Sequence, residues 1–184
     1  MRFLNRIFFD SKNLTDDYCI IYSQLKAKRY SYMAVIRLAK IAQTRKPSSR
    51  LMGLDLGSKT IGLALSDVSL LIASPLGTIK RAKFTNDAET LEALVDKHDV
   101  GGFIIGLPIN MDGSEGPRCQ STRQFATNLL KRRDLPLAFW DERLSTVAVE
   151  RILIDEIDMT RKRRAQVVDK AAATYILQGA LNSL

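Results

Sequence analysis

Two apolar stretches, LMGLDLG at 51–57 and TIGLALSD at 60–67, follow one another with only a few residues between them. No other feature constrains the fold as strongly. So short a gap leaves no room for a crossover, so the two segments must pair as an antiparallel hairpin. A third strand-like run, LIASPLGTIKRA (about 71–81), comes next, and Pro75 suits an edge or a bulge. From there the pattern changes. A helix is predicted over about 86–98, capped by Thr85 or Asn86, with Leu91, Leu94 and Val95 as its apolar stripe. GGFIIGL (101–107) has the unbroken hydrophobicity of a strand buried on both faces. A loop, PINMDGSEGPR, leads to a helix over about 119–132, then a strand LAFWDE (137–142). Ser145 and Thr146 open a helix through about 156, and a basic turn TRKRR leads to a last helix over about 165–181. Strands separated by helices pair in parallel. The expected fold is therefore α/β, a mixed five-stranded sheet with helices on both faces; periodicity does not give the strand order, for which 3-2-1-4-5 is the expectation.

The charge divides the chain in two. The net charge is +8, yet residues 1–50 hold 11 Lys/Arg against 3 Asp/Glu, whereas residues 51–184 hold 17 of each. The basic character thus belongs to an N-terminal extension and says nothing of the main domain. TRKPSSR at 44–50 reads as a linker, and SYMAVIRLAKIAQ before it as a short amphipathic helix carrying Ile36, Leu38 and Ile41. The expected organisation is a basic extension with linker over 1–49, in part disordered, and a domain over 50–184. No apolar run approaches the ~18 residues of a membrane span. Cys19 and Cys119 match no metal spacing and read as free thiols in a reducing compartment. The single histidine, His98, excludes most zinc sites and a Ser-His-Asp triad.

Three carboxylates stand out. Asp55 lies between Leu54 and Leu56 near the end of the first strand, where a charge is costly unless it is solvated, paired or bound to metal. Gly57 and Gly62 leave space near it; the alternative is a cap on the Ser58–Lys59 turn. Glu142 follows the last strand, whose carboxyl end opens on the same sheet edge; the alternative is a surface pair with Arg143. Asp169 flanks a small-residue stripe with Ala172, Ile176 and Ala180 in the last helix; the alternative is an ordinary helix-start aspartate. Three convergent carboxylates suit Mg²⁺ or Mn²⁺, two ions of which can drive phosphodiester hydrolysis. Asp67 ends a strand running the opposite way and reads as a turn residue, as does Asp112. Lys59, Arg118, Arg143 and the run Arg161, Lys162, Arg163 and Arg164 are the candidate nucleic-acid contacts. Trp140 and Phe139 are expected to pack rather than stack on bases.

The stretches LDLGSKTIGLALSD (54–67), GLPINMDGSEGPR (106–118), FWDERLSTVAVERIL (139–153) and RKRRAQVVDKAAATYILQGAL (161–181) resemble, in order and spacing, the YqgF family, also called RuvX. Its members were first regarded as Holliday junction resolvases and are now generally viewed as pre-16S ribosomal RNA nucleases. The resemblance covers roughly residues 50–182. It implies a ribonuclease-H-like fold, with Asp55, Glu142 and Asp169 as the metal-binding catalytic carboxylates. It also implies Mg²⁺ or Mn²⁺ dependence, a cytoplasmic setting, and maturation of the 5′ end of precursor 16S rRNA, with ribosomal association. The basic N-terminal segment departs from the short family start. Alternatives are a resolvase acting on branched DNA, which needs a dimer where the RNA nuclease can act as a monomer, a non-catalytic ribosome-assembly factor, and an ATP-binding protein of the wider superfamily. The last is disfavoured because one short domain has no second lobe to close over a nucleotide.

Overall fold

The computed structural model of the chain describes residues 35–144 and 161–184, with residue 144 and residues 161–170 described by backbone alone. The expected helix following Ser145 and Thr146 lies outside the described residues, as does Cys19. Five strands form one sheet: β1 (Arg50–Leu56), β2 (Thr60–Ser66), β3 (Ala73–Lys80), β4 (Val100–Leu107) and β5 (Leu137–Asp141). Their order is β3-β2-β1-β4-β5. The β1–β2 and β2–β3 pairs are antiparallel, whereas β4 is parallel to both β1 and β5. The hairpin and crossover logic of the sequence thus holds. The register of β2 on β3 slips at Leu63/Ala64, where Ala64 sits opposite Pro75, so the proline does occupy an irregularity at the sheet edge.

Among the described residues four helices cover the sheet: α1 (Leu38–Thr44), α2 (Phe84–His98), α3 (Pro117–Arg132) and α4 (Arg161–Leu181). Successive strand residues feed two cores. Met52, Leu54, Phe103, Ile105 and Leu137 pack with Leu91, Phe125 and Leu129 of α2 and α3. Leu51, Ala64, Ile104 and Ala138 pack with Ile41 of α1 and Ala173, Ile176 and Leu177 of α4. Every residue of β4 is buried, as expected of a strand covered on both faces. No helix among the described residues is long and apolar enough to cross a membrane.

Three helix boundaries differ from expectation. The helix expected over SYMAVIRLAKIAQ begins only at Leu38, because Val35 and Ile36 pair with Leu137 of β5. α2 begins at Phe84, with Lys83 as an N-cap that makes no side-chain bond, so Thr85 and Asn86 fall inside the first turn. The ring of Phe84 meets that of Phe125 edge-on at 5.4 Å, and this packing outweighs the capping preference of the polar residues. Arg161–Arg164 belong to α4 itself and are not a turn before it. Residues 35–49 lie on the sheet: the Ile36 N–H donates to Leu137 O at 2.8 Å, Ile41 is fully buried, and buried Ser49 donates to Lys46 O. Ile41 covers apolar surface that the strands alone leave open. Ile41→Ala should therefore cost about 2–5 kcal/mol, readable by urea denaturation.

α4 approaches β1 closely because Gly53 has no side chain. A Cβ built there falls 2.7 Å from Leu177 Cβ and 3.0 Å from the carbonyl oxygen of Ala173. One obstacle is backbone and the other is the root of a side chain, so neither can rotate away. Gly53→Ala should destabilise the protein by about 1–3 kcal/mol. Thermal denaturation should show Tm falling by roughly 2–4 °C per kcal/mol in a chain of this size.

Candidate active site at the carboxyl ends of the strands

Asp55 is the sixth residue of β1 and sits opposite Gly62 of β2. On its other side, one step beyond the Leu54–Ile105 pair, lies Gly106 of β4. The carboxylate thus rises from a strand flanked by two residues without side chains. Gly106 in turn pairs with Trp140 of β5. Two residues further on, Glu142 begins a short 3-10 turn and folds back over the sheet. A Cβ on Gly106 would lie 2.5 Å from Glu142 Oε1 and 2.6 Å from Ile176 Cδ1 of α4. The Glu142 carboxyl therefore occupies the space above Gly106, on the α4 face of the sheet.

This placement perturbs Glu142 strongly. Burial, followed by the neighbouring negative charge of Asp55, pushes its pKa up to about 7, against a weaker opposing pull from Arg118. Asp141 behaves differently. It accepts the backbone N–H of Arg143 at 3.0 Å and the Arg143 guanidinium at Nη2 at 2.6 Å, and that bonding lowers its pKa. Strand alternation, which assigns Asp141 and Glu142 to opposite sides, accounts for this division.

Asp169 lies in α4, one helical turn before Ala173, the residue whose carbonyl meets the Gly53 position. Its side chain is outside the described residues, as are those of Arg161, Lys162, Arg163 and Arg164. Among the described residues no three Asp, Glu, His or Cys side chains come together. What the described site does provide is two oxygen-donor carboxylates crowded in a half-buried cleft. One of them, Glu142, is held partly protonated at neutral pH, first by burial and then by the charge of the other. That is the donor set and the electrostatic deficit that a hard divalent cation fits.

The other candidates separate clearly. Arg118, exposed in the first turn of α3, lines the cleft with Glu142 and Arg143. Arg143 is committed to Asp141, so its charge is partly spent. Lys59 is exposed in the β1–β2 turn. Asp67 accepts N–H bonds from Ser69, Leu71 and Ile72, which bring its pKa down to about 2, the Ile72 bond contributing most. Asp112 likewise caps Ser114 within its loop. Trp140 packs its ring on Gly179, and Phe139 joins the α2–α3 core. Sequence reasoning missed Arg81. It follows β3, which is antiparallel to β2 and hence ends at the same edge as β1, so the strand order alone was a sufficient signal.

Comparison with known proteins agrees with this geometry. The family described as "RuvX: Holliday junction resolvase" matches residues 49–183. A protein of Paramagnetospirillum magneticum named "Putative pre-16S rRNA nuclease" is 62% identical over 151 residues, 82% of this chain and 97% of that protein. Proteins of the same name from Phenylobacterium zucineum and Rhodospirillum rubrum are 58% and 59% identical, each across 83% of this chain and across 98% and 94% of their own lengths. The matched span contains all five strands, Asp55, Glu142 and Asp169, and at such identity over nearly whole relatives the chain belongs to the RuvX family.

Proposed function

We propose that this protein is a divalent-metal-dependent endonuclease that hydrolyses phosphodiester bonds in precursor 16S rRNA. The observation that carries the reading is the burial of Glu142 above Gly106, within electrostatic reach of Asp55, at the edge where β1, β4 and β5 end. In an open α/β sheet that edge is where ligands bind. The names of the relatives supply the RNA substrate and its place in ribosome biogenesis. On this reading residues 50–184 are the catalytic domain and residues 1–49 a basic extension, and the setting is cytoplasmic.

Asp55, Glu142 and Asp169 would hold Mg²⁺ or Mn²⁺. Such ions supply positive charge that activates a water and stabilises the departing oxygen. The protein's own residues do the rest. Gly106 leaves room for the Glu142 carboxyl to lie over the sheet near the end of β1, where Asp55 stands. Arg118, at the mouth of the cleft, offsets the negative charge of carboxylates and substrate together. Lys59, Arg118, Arg143 and the Arg161–Arg164 run are assigned to backbone phosphates, which position a substrate without reading its sequence. The second reading, cleavage of four-way DNA junctions, is favoured by the description of the matching family.

One experiment separates the two: incubation with precursor 16S rRNA and, in parallel, with a four-way DNA junction, with product ends mapped. The expected result is Mg²⁺- or Mn²⁺-dependent cleavage at a defined site near the 5′ end of the RNA. Symmetric nicking of the junction by a dimer, with intact RNA, would replace the proposal by the second reading. Asp55→Asn, Glu142→Gln and Asp169→Asn should each lower kcat more than ~100-fold, since even outer partners of metal ligands cost roughly 10–100-fold.

The raised pKa of Glu142 adds a prediction with a definite sign. The folded protein holds this proton to about pH 7, whereas an unfolded glutamate releases it near ~4.3. Between those values the folded state binds more protons, so metal-free stability falls as pH rises through the window. Tm measured from pH 4.5 to 7.5 in chelator should show that decline, and Glu142→Gln should flatten it. Mg²⁺ competes with the same proton, so metal affinity by calorimetry should rise between pH 6 and 8 with proton release. Identical Tm profiles for wild type and Glu142→Gln would show that the carboxyl is not perturbed in this way.

A further inference from the structure

Beside the carboxylates, on the α2–α3 side of the same edge, lies a cavity of about 200 Å³ between the end of β1, the residue following β3 and the first turns of α3. Arg81 and Arg118 line it, with Ser58, Ser121 and Thr122. None of the cation-binding logic of the main site applies, because among the described residues no carboxylate lines the cavity.

Arg81 is held in place from three sides. Its Nη1 donates to Gly57 O at 2.8 Å, its Nε lies 3.9 Å from Asp87 Oδ2, and its guanidinium stands 5.9 Å over the Phe125 ring. Asp87 is only 2% exposed and is anchored by the Ala82 N–H. Its Oδ2 has no hydrogen-bond partner among the described residues. The buried carboxylate of Asp87 helps to orient the Arg81 guanidinium, which lines the cavity. An arginine so fixed loses less side-chain entropy when it meets a ligand.

Thr122 supplies the independent observation. A helical threonine ordinarily bonds the carbonyl one turn back, as Thr44, Thr90 and Thr127 do. Thr122 is 4% exposed, lines the cavity and makes no such bond among the described residues. The residue is nearly buried and its hydroxyl is not used within the helix, so it remains available to an oxyanion in the cavity. The amino-terminal turn of α3, 16 residues long and preceded by Gly116 with no side-chain cap, adds partial positive charge from the same direction.

We propose that this cavity is a phosphate subsite, in which Arg81, Thr122 and Ser121 hold a backbone phosphodiester next to the one that is cleaved. Arg118 lines both this cavity and the Glu142 cleft, so it links the two phosphates. Arg81 and Thr122 are positioning residues: they fix the strand so that the neighbouring bond meets the carboxylates. The assignment rests on the nuclease reading for its substrate, but the anion site itself can be tested without it.

The first probe is inorganic phosphate, titrated into the full chain and followed through the amide resonances of Ser121 and Thr122. Saturable shifts are expected in wild type and attenuated shifts in Thr122→Val and Arg81→Gln. The second probe is single-stranded RNA with a 5′-phosphate or a 5′-hydroxyl, bound over a range of salt concentrations. Thr122→Val, which keeps the side-chain shape, should weaken binding roughly tenfold, the usual effect of losing one hydrogen bond to a charged group. Arg81→Gln should lower the slope of log K against log salt by about 0.7. Saturating substrate should restore much of kcat in both. Absence of a phosphate response, or unchanged RNA affinity in Thr122→Val, overturns the proposal even if Arg81→Gln fails to fold. A penalty confined to the 5′-phosphorylated RNA overturns the internal phosphodiester in favour of a chain-end phosphate. Phosphate binding by a protein that cleaves neither RNA nor junction DNA upholds the anion site and sinks the nuclease reading.

Discussion

The close seat of α4 on the central strands is the contact on which the rest of the structure depends. Gly53 lets the helix backbone come down onto β1, with the Ala173 carbonyl and Leu177 directly above it. Gly106, one strand over, leaves a gap at the end of the same layer, and there Glu142 and Ile176 meet. A side chain at Gly53 would force the helix outward, and one at Gly106 would displace the Glu142 carboxyl and the tip of Ile176; the helix also carries Asp169. Packing and chemistry are thus coupled: the geometry that buries Ala173, Ile176 and Leu177 also sets the distance between α4 and the Asp55 carboxylate.

Electrostatics at this edge follow from sheet direction. β1, β3, β4 and β5 all run the same way and β2 alone runs against them. The residues following four strands therefore gather on one side, acidic at β1 and β5, basic after β3 and at the start of α3. Burial of Glu142 beside Asp55 is unfavourable for the metal-free protein, and the same unfavourable term is what a cation would relieve. The two arginines nearby act on different scales. Arg118 lies close enough to Glu142 to influence its proton, whereas Arg81 is turned to a separate cavity by Gly57, Asp87 and Phe125.

Much of this was legible in the chain. The few residues between LMGLDLG and TIGLALSD dictated a hairpin, and the later helix-length separations dictated parallel strands. Asp55 announced itself as a charge inside an apolar strand, and Asp67 as a turn residue at the opposite edge. Other features depended on partners far away in sequence. Phe84 extends α2 past its polar cap candidates because Phe125 lies beside it. TRKPSSR has the composition of a linker, yet Ser49 is buried against the sheet, and Ile41 ahead of it closes a core built by α4. Arg143 lines the cleft and also pairs with Asp141, a contact that depends on how the strand ends.

The sequence by itself determined the strand directions and singled out Asp55, because hairpin length, crossover length and an isolated charge in an apolar run are local properties with few physical solutions. Only the tertiary structure decided that Glu142 and not Asp141 shares the space beside Asp55. It alone set the glycine at 106 as the floor of that space and brought Arg81 and Thr122, 41 residues apart in the chain, into one cavity. Those outcomes depend on where helices settle on a sheet, and that is governed by the fit of side chains contributed from opposite ends of the chain.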